Sequence, residues 1–145
     1  MNRNFETIEI GTIDFSDLAE FISKCGLAGC DPRIVGLYAS SVVRTVNRNI
    51  LLWKPEVQHT GTEMLALTKK EGLVNWGLVS LLSIAYFRPD LPEHWHPILA
   101  LGEELVQNGQ VASLCLKRER TICLGNVDGL WGESCWYVVS EKAHG

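Results

Sequence analysis

The sequence predicts an α+β protein in which about four helices precede a C-terminal three-stranded antiparallel meander, with a short N-terminal strand as a further candidate element. Two observations lead to this prediction. Apolar residues recur every three or four positions through the first two-thirds of the chain, and from Gln110 onward they alternate with polar residues. The chain of 145 residues has the length of one domain, and no Gly/Ser/Pro-rich linker divides it. We therefore expect residues 1–145 to form a single globular domain.

The N-terminal region predicts a strand followed by a helix. Residues 5–10 alternate in the manner of a strand. Asp14 or Ser16 can cap the first helix, whose apolar residues then recur at helical spacing. Gly26 should end this helix, because glycine readily adopts the left-handed conformation found after many helices. The helix should place one apolar stripe on the core.

A second helix is predicted from the pair Asp31-Pro32, in which an N-cap residue precedes a proline at the first helical position. We expect this helix to end before Pro55, since the residue before a proline avoids helical conformation. Its apolar face consists of residues spaced by three or four: Ile34, Leu37, Tyr38, Val42, Val46 and Ile50.

Two more helices are predicted before residue 110. Thr60 or Thr62 can cap a third helical region that runs to Phe87. The part from 73 to 87 is apolar nearly all round, which is typical of a central buried helix. Pro97 should start the fourth helix, which stops at the pair Asn108-Gly109.

The meander is predicted from three segments of alternating residues, at 111–117, 120–124 and 130–139. Two tight turns would place one set of residues on the core face: Leu114, Leu116, Ile122, Leu124, Trp136 and Val138. The other face, here called the Cys-Trp-Tyr face, would include Cys115, Cys123, Trp131, Glu133, Cys135 and Tyr137. We expect the helices to cover only the core face, which leaves the Cys-Trp-Tyr face as a binding interface.

The cysteines of that face are also candidate metal ligands. Folding about the turns places Cys115 opposite Cys123, and Cys123 opposite Cys135, so three thiols would lie in a row. Zinc sites normally use turn-spaced pairs such as C-x₂-C, which are missing, and cysteine commonly serves as a small buried hydrophobe. His94 and His96 project to one side of an extended loop and are weak metal candidates. We favour the alternative that Trp95 between them contacts the core.

Three arginines of the second predicted helix form a candidate anion site. Arg33 and Arg44 are about three helical turns apart and Arg48 follows one turn later, so all three should share the side opposite the apolar face. This stripe would bind a phosphate or an acidic surface. A solvated polar face explains the same pattern, and both interpretations stay open.

Composition excludes several classes of protein. The 17 acidic and 13 basic residues give a net charge of −4, which argues against nucleic acid as a partner. We see no secretory signal, and the longest uncharged stretch is shorter than the roughly 20 residues that span a bilayer. We therefore expect a cytoplasmic protein without a membrane partner, whose five cysteines are free thiols. Phosphate-binding, hydrolase and zinc-protease motifs are missing, so we expect no cofactor and favour a non-enzyme.

These observations favour a small protein-binding module that acts by occupying another protein's surface, as inhibitors, immunity proteins and mobile-element accessory factors do. Its partner would be another protein or a second copy in a homodimer. One alternative is a small Cys/His-dependent enzyme or zinc-binding protein that uses side chains from one set of six: Cys30, His94, His96, Cys115, Cys123 and Cys135. A further alternative is a regulatory domain that binds an anion or another ligand.

Overall fold

The computed structural model describes residues 4–10, 13–14, 17–38, 44–45, 48–88, 97–115, 120–132 and 135–141. Within this part of the chain the α+β class is confirmed, but the C-terminal three-stranded antiparallel meander is wrong. The structure has instead a mixed sheet in which seven strands follow one another and an eighth pairs beside them. Five described helices lie around this sheet.

The strands of the mixed sheet come from the whole length of the chain. Their order is β1-β5-β12-β8-β9-β10-β3, with β7 also paired to β12. The pairs β12–β8 and β10–β3 are parallel, and the others are antiparallel. The bounds are β1 (Asn4–Ile10), β3 (Gly29–Cys30), β5 (Arg48–Lys54), β7 (Leu73–Asn75), β8 (Ile98–Ala100), β9 (Gln110–Cys115), β10 (Thr121–Asn126) and β12 (Trp136–Glu141).

Two short antiparallel pairs lie outside the mixed sheet: β2 (Ile13–Asp14) with β4 (Arg44–Thr45), and β6 (His59–Thr60) with β11 (Leu130–Trp131). The helices are α1 (Leu18–Lys24), α2 (Arg33–Tyr38), α3 (Gly61–Lys70), α4 (Leu78–Phe87) and α5 (Glu103–Gln107). None of these described helices has the length and apolar character needed to cross a membrane.

The N-terminal strand and the first helix are confirmed, with one change of cap. Strand β1 pairs antiparallel with β5 along its full length. Helix α1 is capped by Asp17, whose side chain accepts from the backbone N–H of Glu20 at 2.8 Å. Asp14 lies instead in β2, and Ser16 is outside the described residues. Gly26 follows the helix with a φ of 67°, the left-handed conformation that its sequence position predicts.

The second predicted helix begins correctly and is far too long. Helix α2 follows Asp31-Pro32 but ends at Tyr38, and the chain then forms β4 and β5. The segment contains many β-branched residues, which favour strands. Its end, ILLW, alternates between the two faces of the sheet, with Ile50 and Leu52 in one apolar cluster and Trp53 in another.

The third predicted helix is two helices with a strand between them. Thr60 caps α3 as expected, because its hydroxyl accepts from Glu63 N–H while the Glu63 carboxylate accepts from Thr60 N–H. Gly72, with a φ of 72°, ends this helical region before β7 forms. Helix α4 is the buried part of the predicted central helix, and it begins only at Leu78.

The fourth predicted helix is displaced along the chain. Residues 98–100 form the buried strand β8, and helix α5 begins at Glu103. Its end is placed correctly, with Asn108 as the C-cap and Gly109 at a φ of 70°. A short apolar run such as ILA fits a buried strand as well as a helix, so periodicity alone does not separate the two.

The meander prediction fails at its third strand. Strands β9 and β10 form the expected antiparallel hairpin. Strand β12 pairs with β5, β7 and β8, while β3 occupies the free edge of β10. The segment WYVV is almost continuously apolar, which is typical of a central strand buried on both faces.

Helices cover both faces of the mixed sheet. On one face, sheet residues such as Ile50, Ile98 and Val138 pack with Leu18 and Phe21 of α1 and with the buried side of α4. On the other face, Trp53, Leu99, Tyr137 and Val139 pack with Met64 of α3. The expectation that helices cover only one side of the sheet is therefore wrong.

Candidate functional site

Two members of the predicted Cys-Trp-Tyr face are buried. Tyr137 and Cys135 are 0% and 3% exposed, since they belong to the apolar cluster beneath α3. Trp131 is half-buried, and its ring lies close over Gly125, where a Cβ atom would be 3.2 Å from Trp131 Cζ2. Of the other members, Cys123 is exposed, the side chain of Cys115 is not described and Glu133 lies outside the described residues.

The predicted row of three thiols does not form either. Cys123 pairs with Ser113, which is two residues from Cys115, and Cys115 pairs with Thr121. Cys135 precedes β12, which is not a neighbour of β10. Within the described ranges no three His, Cys, Asp or Glu side chains are grouped closely enough to hold a metal ion. His94 and His96 lie outside those ranges.

The three candidate anion-binding arginines lie on three different elements. Arg33 is on α2, Arg44 on β4 and Arg48 on β5, so the helix that was to align them is not formed. Arg33 donates to the Asp31 carboxylate at 2.8 Å, and this pairing holds the pKa of Asp31 at about 2. The side chains of Arg44 and Arg48 are not described. Anion binding by these residues stays a prediction.

The described cysteines near the first helix are poor nucleophiles. Burial raises the pKa of Cys25 to about 12 and that of Cys30 to about 11, and the carboxylate of Asp31 raises the latter further. Both thiols are therefore protonated near neutral pH, whereas the thiolate is the reactive form. The Cys/His enzyme alternative gains no support from them.

A buried pair, His59 and Tyr137, was missed by the sequence analysis. His59 Nε2 contacts the Tyr137 hydroxyl, and His59 Nδ1 lies 2.5 Å from the carbonyl oxygen of Val57. Because that carbonyl only accepts, we assign the ring proton to Nδ1, and Nε2 then accepts from Tyr137. Burial lowers the pKa of His59 and raises that of Tyr137. The pair is closed to solvent and joins β6 to β12.

An open groove of about 420 Å³ lies between α3, β7 and α5. Its floor and walls are apolar, and three polar side chains interrupt them. The lining residues are Leu65, Asn75, Leu101, Glu103, Val106 and Gln107. We call this cavity the α3–α5 groove.

Two glycines allow the two sides of the α3–α5 groove to approach. The segment after β8 crosses the segment after β7 so closely that a Cβ atom on Gly102 would lie 2.3 Å from Gly77 Cα. Leu101 and Glu103 flank Gly102 and both line the groove. This backbone contact therefore sets the position of α5 against β7.

Asn75 on the groove wall is hydrogen-bonded to Thr68 of α3. Thr68 donates its hydroxyl hydrogen to the Leu65 carbonyl at 2.9 Å, and its oxygen then accepts from Asn75 Nδ2 at 2.8 Å. Asn75 Oδ1 is buried and has no hydrogen-bond donor among the described residues. A buried acceptor without a donor costs about 1–3 kcal/mol, and native proteins contain few of them.

At the rim of the groove, Gln107 Nε2 donates to Glu103 Oε1 at 3.3 Å. The pair spans one turn of α5, the spacing at which helical side chains meet. No lysine or arginine in the described part of the chain forms an ion pair with Glu103. The groove thus carries a carboxylate beside its apolar walls that no described lysine or arginine neutralises.

Comparisons with known proteins identify no relative. The sequence matches no protein-family model, and neither the curated proteins nor the solved structures contain a match. The candidate site therefore depends on geometry and chemistry alone.

The sequence contained one signal for this groove. Asn75 is a polar residue in an apolar stretch, and such a residue is worth noting when the segment is buried. Leu101 is buried, but it lies between β8 and α5 and not in the longer helix that the sequence predicts. Bringing Leu65 to residues 101–107 required the position of β7 beside β12, which no local pattern predicts.

Proposed function

We propose that this chain is a small-molecule-binding domain whose site is the α3–α5 groove. One observation carries the proposal: the apolar walls of the groove and three polar side chains, Asn75, Glu103 and Gln107, meet in one open cavity. The proposal corresponds to the ligand-binding alternative drawn from the sequence.

The shape of the groove supports the same function. Its volume of about 420 Å³ lies in the range of about 300–1,000 Å³ that is typical of small-molecule sites. Apolar side chains from α3, from the segment after β8 and from α5 surround it: Leu65, Leu101 and Val106. Apolar walls with a few convergent polar groups are the usual composition of such sites.

Occupation of another protein's surface stays a prediction. The residues chosen for it include Tyr137 and Cys135, which are buried, so we do not propose binding through that set. The enzyme and zinc alternatives also stay predictions. Burial raises the pKa of the Cys30 thiol, the described residues contain no group of three metal ligands, and His94 and His96 lie outside them.

Ligand binding is tested by a fragment screen monitored through backbone amide NMR shifts. We expect hits to shift the amides of residues 65, 75 and 101–107 more than those of α1 and α2. Leu65→Trp and Val106→Trp, each at a half-buried wall position, should fill the groove and abolish those shifts. Two variants from different helices are used so that one misfolded protein does not decide the outcome.

The matched control is Val35→Trp on α2, where the side chain is exposed and far from the lining residues in the fold. It should bind the same hits as the native protein. The proposal is wrong if no fragment shifts the groove amides, or if folded Leu65→Trp and Val106→Trp proteins bind the hits unchanged.

A further inference from the structure

We infer that β1 is a self-association edge, on which a second copy of the chain adds its own β1 antiparallel to form a two-fold dimer with one continuous sheet. β1 is the first strand in the order of the mixed sheet, and only β5 pairs with it in the described part of the chain. An edge strand presents a row of N–H and C=O groups to any strand that can pair with it. This edge is separate from the α3–α5 groove, so self-association does not depend on the proposed function.

The hydrogen bonds of β12 show to which side its backbone groups point. Trp136 N–H donates to the Pro97 carbonyl at 3.0 Å, and the Val138 carbonyl accepts from Trp76 N–H at 3.1 Å. Both residues of β12 therefore point to β8 and β7, which lie across β12 from β5. Because the backbone groups of successive residues in a strand point to opposite sides, those of Tyr137 point to β5.

The same alternation continues through β5 to the outer edge of the sheet. Tyr137 is opposite Trp53 of β5, so the neighbouring Leu52 points to β1, where Glu6 is opposite to it. Even-numbered residues of β1 therefore hydrogen-bond with β5. The residues whose N–H and C=O groups point outward are the odd-numbered ones: Phe5, Thr7 and Glu9.

The outward-pointing residues are placed so that β1 can pair with itself. Thr7 is the centre of the seven residues of β1, and full-length antiparallel pairing places it opposite the partner's Thr7. Phe5 is then opposite the partner's Glu9, so each outward-pointing residue exchanges two hydrogen bonds with an outward-pointing residue of the other strand. A strand whose central residue pointed inward could not form this full-length ladder.

The side chains of β1 favour the same register. Thr7 is exposed, and Thr–Thr pairs across antiparallel strands are favourable. Glu6 is opposite the partner's Ile8 and Glu9 is opposite the partner's Phe5, so no two carboxylates are directly opposed. A shift of two residues in one direction would oppose the two Glu6 carboxylates, and in the other direction it would leave the first two residues of each strand unpaired. The carboxylates, which commonly protect strand edges from other pairings, therefore select this register.

Charge exchange at Thr7 tests the dimer and its register together in sedimentation equilibrium. Thr7→Lys and Thr7→Glu should each self-associate at least about fivefold more weakly than the native protein, because like charges then meet at the two-fold axis. An equimolar mixture of the two variants should recover the dimer, since opposite charges then meet. This recovery is specific to a register in which residue 7 is opposite itself.

The matched controls are Val74→Lys and Val74→Glu. Val74 is 40% exposed and lies on β7, across β12 from β5 and β1. Both variants should dimerise as the native protein does, whether separate or mixed.

Thr7→Pro tests the backbone pairing without adding charge. The Thr7 N–H points outward, so proline should leave the hydrogen bonds between β1 and β5 in place and remove the central pair of the dimer. We expect a folded monomer with a native-like amide spectrum. Thr7→Val keeps the N–H and should stay dimeric.

The register itself is read from intermolecular NOEs in a sample that mixes labelled and unlabelled protein. Glu6 and the partner's Ile8 would form a pair without mutual hydrogen bonds, whose Cα atoms are about 4.5 Å apart, so their Hα atoms should give an NOE.

Several outcomes would overturn self-association through β1. One is a native protein that sediments as a monomer at millimolar concentration, and another is a dimer whose intermolecular NOEs come from other strands. Native-like dimerisation of Thr7→Lys, a mixture without recovery, or a dimer that folded Thr7→Pro keeps would contradict it equally. None of these outcomes concerns the α3–α5 groove, so the proposed function stands or falls separately.

Discussion

The contact between His59 and Tyr137 joins two parts of the chain that are 78 residues apart in sequence. Burial keeps the imidazole neutral, so its Nε2 needs a donor and the Tyr137 hydroxyl supplies one. The ring also stacks at a tilt against Tyr137, with centroids 5.2 Å apart. The pair therefore attaches the β6–α3 region to the central strand.

Removing the hydroxyl should leave a buried nitrogen without a donor. We expect Tyr137→Phe to lower the free energy of unfolding by about 1–3 kcal/mol in urea denaturation. Tyr86→Phe is the matched control, because Tyr86 is 42% exposed and its change should stay within about 0.5 kcal/mol. Equal effects at the two positions would show that the His59 contact contributes nothing.

Acid should destabilise the protein through His59. Its pKa lies below the ordinary value of 6.5 in the folded state, so the unfolded chain takes up the proton first as pH falls. The stabilisation is complete above about pH 6.5 and is lost as pH falls toward the folded pKa. Urea midpoints at pH 7.5, 6.5 and 5.5 should therefore fall, and His59→Gln should reduce this dependence.

The Asp31 carboxyl titrates at lower pH than His59, so the effects of the two groups on stability can be separated. Arg33 holds the Asp31 pKa at about 2, against an ordinary 3.8, so its contribution is lost only below about pH 4. If His59→Gln kept the full pH dependence between 7.5 and 5.5, His59 would not be its source.

At the scale of elements, capping residues predicted where helices begin and end better than apolar spacing predicted how long they are. Asp31-Pro32 and Thr60 mark true helix starts, and Gly26 and Gly109 follow true helix ends. These signals act within one turn. The helix starts predicted at Asp14 and Pro97 were wrong, since Asp14 lies in β2 and Pro97 directly precedes β8. The elements between the correct starts and ends were assigned wrongly where the chain is continuously apolar.

Continuous apolar segments explain the missed strands. The runs ILLW, ILA and WYVV became β5, β8 and β12, all buried on both faces. With both faces buried, the alternation that identifies a strand disappears. Only the long-range pairing of β12 with β5, β7 and β8 distinguishes them from helices.

The contact of Gly102 with Gly77 gives an element-scale prediction. Gly102→Ala should lower the free energy of unfolding by about 1–3 kcal/mol or more, because its Cβ would lie 2.3 Å from backbone that must then move. Gly36→Ala in α2 meets no atom within 4 Å, and alanine favours helix, so it should be neutral or stabilising by up to about 1 kcal/mol. Thermal unfolding of both variants compares them, and an equally stable Gly102→Ala protein would contradict the close approach.

At the scale of the whole molecule, coverage of both sheet faces changes where a site can lie. The predicted interface assumed one covered face, and helix α3 instead buries Tyr137. The α3–α5 groove arises only when α3, β7 and α5 meet, so its residues were not predictable as a group. The sequence shows which of these residues are apolar and which are polar, but not that they meet.

Thiol reactivity tests this coverage directly. In the folded protein Cys123 is exposed, whereas Cys25 and Cys135 are buried. Brief alkylation followed by peptide mass spectrometry should modify Cys123 first, and Cys25 and Cys135 only after denaturation. Equal rates at Cys123 and Cys135 would instead indicate the open face that the sequence suggested.

The position of a bound fragment is the most direct test of the α3–α5 groove as a ligand site. Intermolecular NOEs from a fragment hit to protein methyl groups report which side chains surround it. We predict NOEs to the methyls of Leu65, Leu101 and Val106, which line the groove. NOEs to the exposed methyls of Val57 and Leu130, with none to the groove residues, would contradict the proposed site.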